Sequence, residues 1–251
     1  MAPTMPQDLH GFLNPNDPVA ISFWIISISM IAATVFFLME STSVSAHWKT
    51  SMNVGALVTL VAAVHYMYMR EFWVTIHMSP ILYRYIDWSI TVPLQMIEFY
   101  LILSAAGSKI GQGSFWKLLI GTVVMLAAGY AGEAGFVSKM IGFVVGMAGW
   151  GFILFEIFAG EAGSCAASIG AASPDVQASF STMRMIVSVG WSIYPLGYFF
   201  GYFMGAVNAD TLNLVYNLAD FVNKIGFCLA IWQSAKNSTL AGKGQALLSQ
   251  A

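Results

Sequence analysis

The chain has 251 residues, a formal net charge of −2, 58% hydrophobic residues and only 9% charged ones. A soluble domain averages about 25% charged residues. This chain therefore lacks the charge to cover a water-facing surface, which excludes an ordinary soluble enzyme or a nucleic-acid-binding module.

The apolar residues fall in runs near the ~20 residues that a bilayer-spanning helix requires. They predict an all-α membrane protein, one seven-helix bundle over residues 1–251 with no room for a second domain. The stretch Met1 to Asp17 is polar and proline-rich, with no basic residue ahead of a short apolar core, and does not read as a signal peptide. The spans are expected at Val19 to Met39, Met52 to Trp73, Ile81 to Ala105, Phe115 to Tyr130, Phe136 to Phe158, Val176 to Gly205 and Leu212 to Gln233. The sixth overshoots the membrane. Gly107 to Ser114 and Gly160 to Pro174 punctuate the chain as linkers. Pro93 and Pro195 lie inside spans, where neighbouring helices can satisfy the backbone groups they free. Gly197, Gly201 and Gly205 read as close helix packing. The two cysteines, Cys165 and Cys228, form neither a disulfide framework nor a metal site.

Basic residues set the orientation. With the amino terminus outside, Lys49, Lys109, Lys117, Arg184, Lys236 and Lys243 collect in the cytoplasm, and only Arg70 and Lys139 lie outside. The carboxyl terminus is then cytoplasmic, and the sequon at Asn237 is discounted as a glycosylation site.

The remaining two basic residues, Arg84 and Lys224, fall inside spans, as do Asp87, Glu98 and Asp220. Each costs about 2.5 to 3.5 kcal/mol at a helix centre on insertion scales, so a polar interior with a purpose is expected. Arg84, Asp87 and Thr91 share one face of the third span. Glu98, eleven residues past Asp87, returns to within about 20° of that face, roughly 16 Å further along. Asp220 precedes Lys224 by one turn. The pair could be a purely structural ion pair, and Arg84 could simply snorkel to the interface. Glu98 has no basic neighbour within a turn, so it is expected to hold a proton when idle and to serve as a proton store. Glu156 reads as an interfacial residue. A lysine buried in an apolar bundle also suits imine chemistry, and a protonated imine needs a nearby anion, for which Asp87 and Asp220 are the candidates.

Several segments resemble the proteorhodopsins, of the microbial rhodopsin type, and the resemblance spans all seven helices. The stretch Arg84-Tyr85-Ile86-Asp87-Trp88 through Thr91-Val92-Pro93 to Glu98-Phe99-Tyr100 is similar to their third helix. Asn217-Leu218-Ala219-Asp220-Phe221-Val222-Asn223-Lys224 is similar to their retinal-binding seventh helix. Trp191-Ser192-Ile193-Tyr194-Pro195, His65-Tyr66-Met67-Tyr68-Met69-Arg70 and Gly129-Tyr130-Ala131-Gly132-Glu133-Ala134-Gly135 also fit.

The resemblance implies a light-driven outward proton pump, not an enzyme, carrying all-trans retinal on Lys224 as a protonated Schiff base. It implies Asp87 as counterion and proton acceptor, Asp220 as second counterion and Glu98 as cytoplasmic proton donor, with Arg84 and Thr91 on the path. His65 would hydrogen-bond the acceptor aspartate. Trp88, Met125, Gly129, Trp191, Tyr194 and Pro195 would wall the polyene. Gln95 stands where glutamine marks blue-absorbing members and leucine green ones. Other expectations from the resemblance are a bacterial inner membrane, a homo-oligomeric ring (pentamer or hexamer) with Trp24 and His65 at the protomer interface, and no obligatory protein partner. The rival readings are a sensor of the same fold that signals to a partner, and a retinal-free, ion-coupled transporter.

Overall fold

A computed structural model of the chain describes residues 12–170 and 172–248; the first eleven residues of the amino-terminal stretch lie outside them. The described residues form helices and turns with no strand. The helices are α1 (Pro18–Ser41), α2 (Lys49–Ile76), α3 (Ile81–Ala105), α4 (Gln112–Glu133), α5 (Lys139–Phe158), the short α6 (Glu161–Ile169), α7 (Pro174–Met185), α8 (Ile193–Tyr198), α9 (Ala209–Asp220) and α10 (Phe227–Leu248). From α1 to α5 each helix packs against the next, with α1 also against α9, and α7 against α10.

Local chemistry sets the ends. The Asp17 carboxylate accepts the Ala20 N–H at 2.9 Å and Pro18 starts α1, a pairing suited to an N-terminus. Asn208 caps α9 through the Thr211 N–H at 2.9 Å. α2 stops where His77 turns left-handed at φ 54°.

Among the described residues, six helical stretches are long and apolar enough to cross a membrane. The sixth span is a broken rod. α7 runs into a π turn at Ile186–Gly190, then α8, then a second π turn at Phe199–Phe203. Pro195 has no N–H to give the Trp191 carbonyl, and its ring crowds that turn. Partners come from neighbouring spans: Trp150 Nε1 donates to the Val187 carbonyl at 2.9 Å, Asn223 Nδ2 to the Gly190 carbonyl at 3.1 Å, and the Tyr216 hydroxyl to the Tyr194 carbonyl at 3.1 Å. The seventh span breaks likewise, α9 joining α10 through a π turn at Phe221–Gly226 that contains Lys224. Wide turns of this kind frequently mark functional positions.

Three expectations change. The linker after α5 carries the helix α6, which follows directly on Gly160, and its first residue Glu161 reaches across to accept the Gly111 N–H at 2.6 Å. Glu156 is not interfacial: it is buried, accepts the Ser114 hydroxyl at 2.7 Å and the Ala162 N–H at 3.2 Å, and pairs with Lys117 at 3.3 Å. Of the glycine series, Gly197 faces the Tyr216 ring closely, but Gly205 sits at φ 58° with open space around it and ends the span.

α4 and α5 approach closely through glycine. A Cβ on Gly149 would lie 2.7 Å from the Met125 nitrogen and 2.9 Å from the Gly121 carbonyl oxygen, both rigid backbone atoms. Gly149→Val should therefore force the helices apart and cost about 1–3 kcal/mol. Thermal denaturation in detergent checks this, with Gly151→Ala as control because a Cβ there meets nothing within 4 Å. Equal melting temperatures for the two variants would contradict the packing.

Candidate functional site

The buried charges gather in one place. Lys224, 2% exposed, donates through Nζ to Oδ2 of Asp220 at 2.9 Å and to Oδ2 of Asp87. α3 supplies Asp87 and the π turn of the seventh span supplies Lys224, so that pair ties the two spans together, while Asp220 pairs with Lys224 from one turn earlier on the same span. Desolvating such charges is expensive and only good geometry offsets it.

The two carboxylates are held differently. Asp220 Oδ2 also accepts the Tyr66 hydroxyl at 2.8 Å, and its Oδ1 accepts the Tyr194 hydroxyl at 2.5 Å with the Trp88 indole N–H at 3.4 Å. Asp87 has only Lys224, and its Oδ1 has no hydrogen-bond partner. Asp220 is thus committed as an acceptor, whereas Asp87 keeps an oxygen free to take a proton.

Arg84 does not snorkel. It is buried, and its Nη2 donates to the amide oxygens of Asn213 at 2.8 Å and Asn217 at 2.6 Å, while Nε and Nη1 are unpartnered. Thr91 donates to the backbone carbonyl of Asp87 at 3.0 Å. Glu98 is 1% exposed, with neither carboxylate oxygen hydrogen-bonded; the next residue, Phe99, packs edge-on against Phe180 and Phe227.

His65 departs from expectation. Its Nδ1 bonds the Val61 carbonyl one turn back on α2 at 2.8 Å, and it makes no hydrogen bond to Asp87, whose paired oxygen is taken by Lys224. Trp24 is exposed on the bundle's outer face, with the Arg70 guanidinium 5.8 Å from its ring centre.

Beside Lys224 lies an apolar cavity that runs from the seventh span across to α5, at a concave position of the kind small-molecule sites occupy. Trp88, Met125, Gly129, Trp191, Tyr194 and Pro195, the six residues expected in the pocket, all line it. Phe143, Met147 and Trp150 of α5 also line it and were not foreseen, because one apolar residue on a lipid-embedded helix looks like another in sequence. A Cβ on Gly129 would fall 2.9 Å from the Tyr85 hydroxyl, so that glycine leaves room at the wall. Gln95 lines the same cavity and donates from Nε2 to the Asn223 carbonyl at 3.0 Å, the residue before Lys224. Tyr66, Asn213 and Asn217 were likewise not singled out, although two of them lie inside quoted motifs; a hydroxyl or amide in a span signals little until its charged partner is placed.

Fold and site together define a multi-pass membrane protein with a buried lysine, paired to two carboxylates, facing an apolar ligand cavity. The family model for bacteriorhodopsin-like proteins matches residues 17–238. A blue-light absorbing proteorhodopsin of Gamma-proteobacterium Hot 75m4 is 51% identical over 90% of this chain and 89% of its own. A green-light absorbing proteorhodopsin of Gamma-proteobacterium EBAC31A08 is 50% identical over the same shares. Among solved structures, a blue light-absorbing proteorhodopsin from Med12 aligns with TM-score 0.76 and 47% identity over 88% of this chain and 100% of that one. Exiguobacterium sibiricum rhodopsin aligns with TM-score 0.79 and 30% identity over 89% and 98%. The chain belongs to the bacteriorhodopsin-like family, in its proteorhodopsin branch.

The Asn217 amide bridges Arg84 to Ser22 of α1, to which its Nδ2 donates at 2.8 Å. Asn217→Leu leaves a buried guanidinium short of an acceptor and should cost about 1–3 kcal/mol, read as a lower melting temperature; an unchanged one would contradict the assigned role.

Proposed function

We propose that this chain is a light-driven proton pump that exports protons, with retinal on Lys224. The observation that carries the reading is the Lys224 ammonium held between Asp87 and Asp220 at the wall of an apolar cavity. That cavity suits an all-trans polyene: its walls are mostly aromatic and aliphatic, and its one amine is Lys224. When bound, retinal would supply the absorption of visible light, and the Lys224 nitrogen would carry the proton to be moved.

The protein's own groups do the rest. Asp87, with its free Oδ1, takes the proton. Asp220, fixed by Tyr66 and Tyr194, stays as the balancing anion. Glu98 stores a proton in the other half of the bundle and returns it toward Lys224, and the apolar cluster of Phe99, Phe180 and Phe227 keeps water from short-circuiting that half. Arg84 lies on the exit side. The six-to-two excess of basic residues toward one side of the bundle supports an external amino terminus and so an outward vector, across a bacterial inner membrane. A ring of five or six protomers, with the exposed Trp24 and half-buried His65 at its interface, belongs to the same reading. His65 then acts toward Asp87 at a distance, not through a direct bond. Nothing in the site favours a sensor, which has no use for the isolated Glu98.

Retinal-fed cells expressing the chain should acidify their medium in light, and a protonophore should abolish the effect. Lys224→Ala should give neither colour nor acidification, and Glu98→Gln should slow the return of the proton by roughly 100-fold. A coloured protein with no pH change would sink pumping.

Identities of 51% and 50% to blue and green relatives do not choose a colour, so the blue assignment rests on Gln95. Gln95→Leu should move the absorption maximum to longer wavelength; an unmoved maximum would contradict the assignment.

A further inference from the structure

The pump needs an exit for the proton that Asp87 takes, and no residue has been given that task. We propose that Glu133, the last residue of α4, is the relay that collects the proton leaving Asp87 and passes it to the outer face. The inference rests on the pump reading above.

Glu133 lies at the same end of the bundle as Arg84, opposite Glu98, since α4 ends where α3 begins. Its carboxylate accepts the Tyr85 hydroxyl at 2.8 Å, and among the described residues no lysine or arginine lies within ion-pair distance. A carboxylate at a helix C-terminus also meets the negative end of the helix dipole, so charge pairing does not explain why an acid stands there.

Glu133 lines two cavities at once. One is the large cavity at Lys224. The other is a smaller one bounded by Arg84, Ser79, Tyr202 and Tyr216. Arg84 borders this second cavity with two buried, unpartnered nitrogens, Nε and Nη1. Buried donors without protein partners are normally satisfied by water, and Arg84 lies three residues before Asp87 on α3, so the second cavity offers the polar link between the Asp87 side and Glu133. The groups around Glu133 are Arg84 and Tyr85 of α3, Lys139 of α5, Tyr198 and Tyr202 of the sixth span, and Tyr216 of α9. Four of these are hydroxyls able to pass a proton on. Past Glu133 the chain turns into the loop before Lys139, where Phe136 and Val137 are exposed. The step balances simply: the Asp87 carboxyl loses a proton, the Glu133 carboxylate gains it, and Glu133 then yields it to the outer medium.

The alternative is that Glu133 only anchors Tyr85 at the wall of the large cavity. Glu133→Gln separates the two, because the amide oxygen still accepts from Tyr85 but cannot carry a proton. The variant is reconstituted with retinal in vesicles and followed by flash-induced infrared difference spectroscopy and a pH-indicating dye. The proposal expects a transient carboxyl band in the wild type that Glu133→Gln lacks. It also expects proton appearance outside to slow by tenfold or more, with the visible maximum and the Asp87 band retained. An unchanged release time, or a wild-type spectrum whose carboxyl bands all survive in Glu133→Gln, overturns it. Should that variant not fold, Tyr85→Phe keeps the ring packed on Trp88 and Tyr130 but removes the bond. The Glu133 band should then shift in frequency, and the absence of any shift overturns the relay. A wild type that forms pigment without moving protons sinks the pump reading itself, and this inference with it.

Discussion

One buried ammonium organises this protein. Lys224 cannot reach water from the middle of the bundle, so its charge must be met inside, and Asp87 and Asp220 meet it from two different spans. Arg84 adds another buried cation nearby, held by the amides of Asn213 and Asn217. The charge balance around Lys224 is local, and a proton moved off Lys224 unsettles it. The carboxylate that loses its partner is then the natural place for that proton. Asp220 is already bound by Tyr66, Tyr194 and Trp88, whereas Asp87 has an unused oxygen. The difference between acceptor and fixed anion is thus a matter of how many donors each carboxylate already has.

The breaks in the sixth and seventh spans serve the same end. Pro195 opens the sixth span, and side chains of α5 and the seventh span satisfy the carbonyls set free around it. The π turn around Lys224 lies against this opening, with Asn223 bonded to Gly190 across the gap. Irregular backbone is tolerated at membrane depth only where protein covers it. Here it leaves room for the cavity while keeping Lys224 at its wall. Gln95 bonds the carbonyl next to Lys224, so the amide touches the backbone that carries the amine as well as the cavity.

The fold was easy to read because hydropathy and length speak directly to the bilayer: runs of apolar residues near the span length, and charges rare enough that each stands out. Asp87, Glu98, Asp220 and Lys224 were legible for that reason, and helical periodicity put the first two on one face. The residues that hold them were not. Tyr66, Asn213 and Asn217 are ordinary polar residues until a charged partner in another span is located, and partners 133 or 154 residues apart leave no local pattern. Glu156 was misread because a carboxylate near a span end usually faces water; here Ser114, Lys117 and the start of α6 enclose it. The His65 bond to Asp87 was expected by likeness; in the structure Nδ1 bonds the Val61 carbonyl and no bond to Asp87 is made.

The central claim is that Lys224 is the amine that binds the chromophore, and it can be tested without measuring transport. Borohydride reduction of the retinal-fed protein fixes the chromophore to its lysine, and mass spectrometry of the peptides then locates it. The account predicts the added mass on the peptide containing Asn223 and Lys224 and on no other. Chromophore mass on a different lysine, or a coloured protein whose Lys224 peptide remains unmodified, would contradict it.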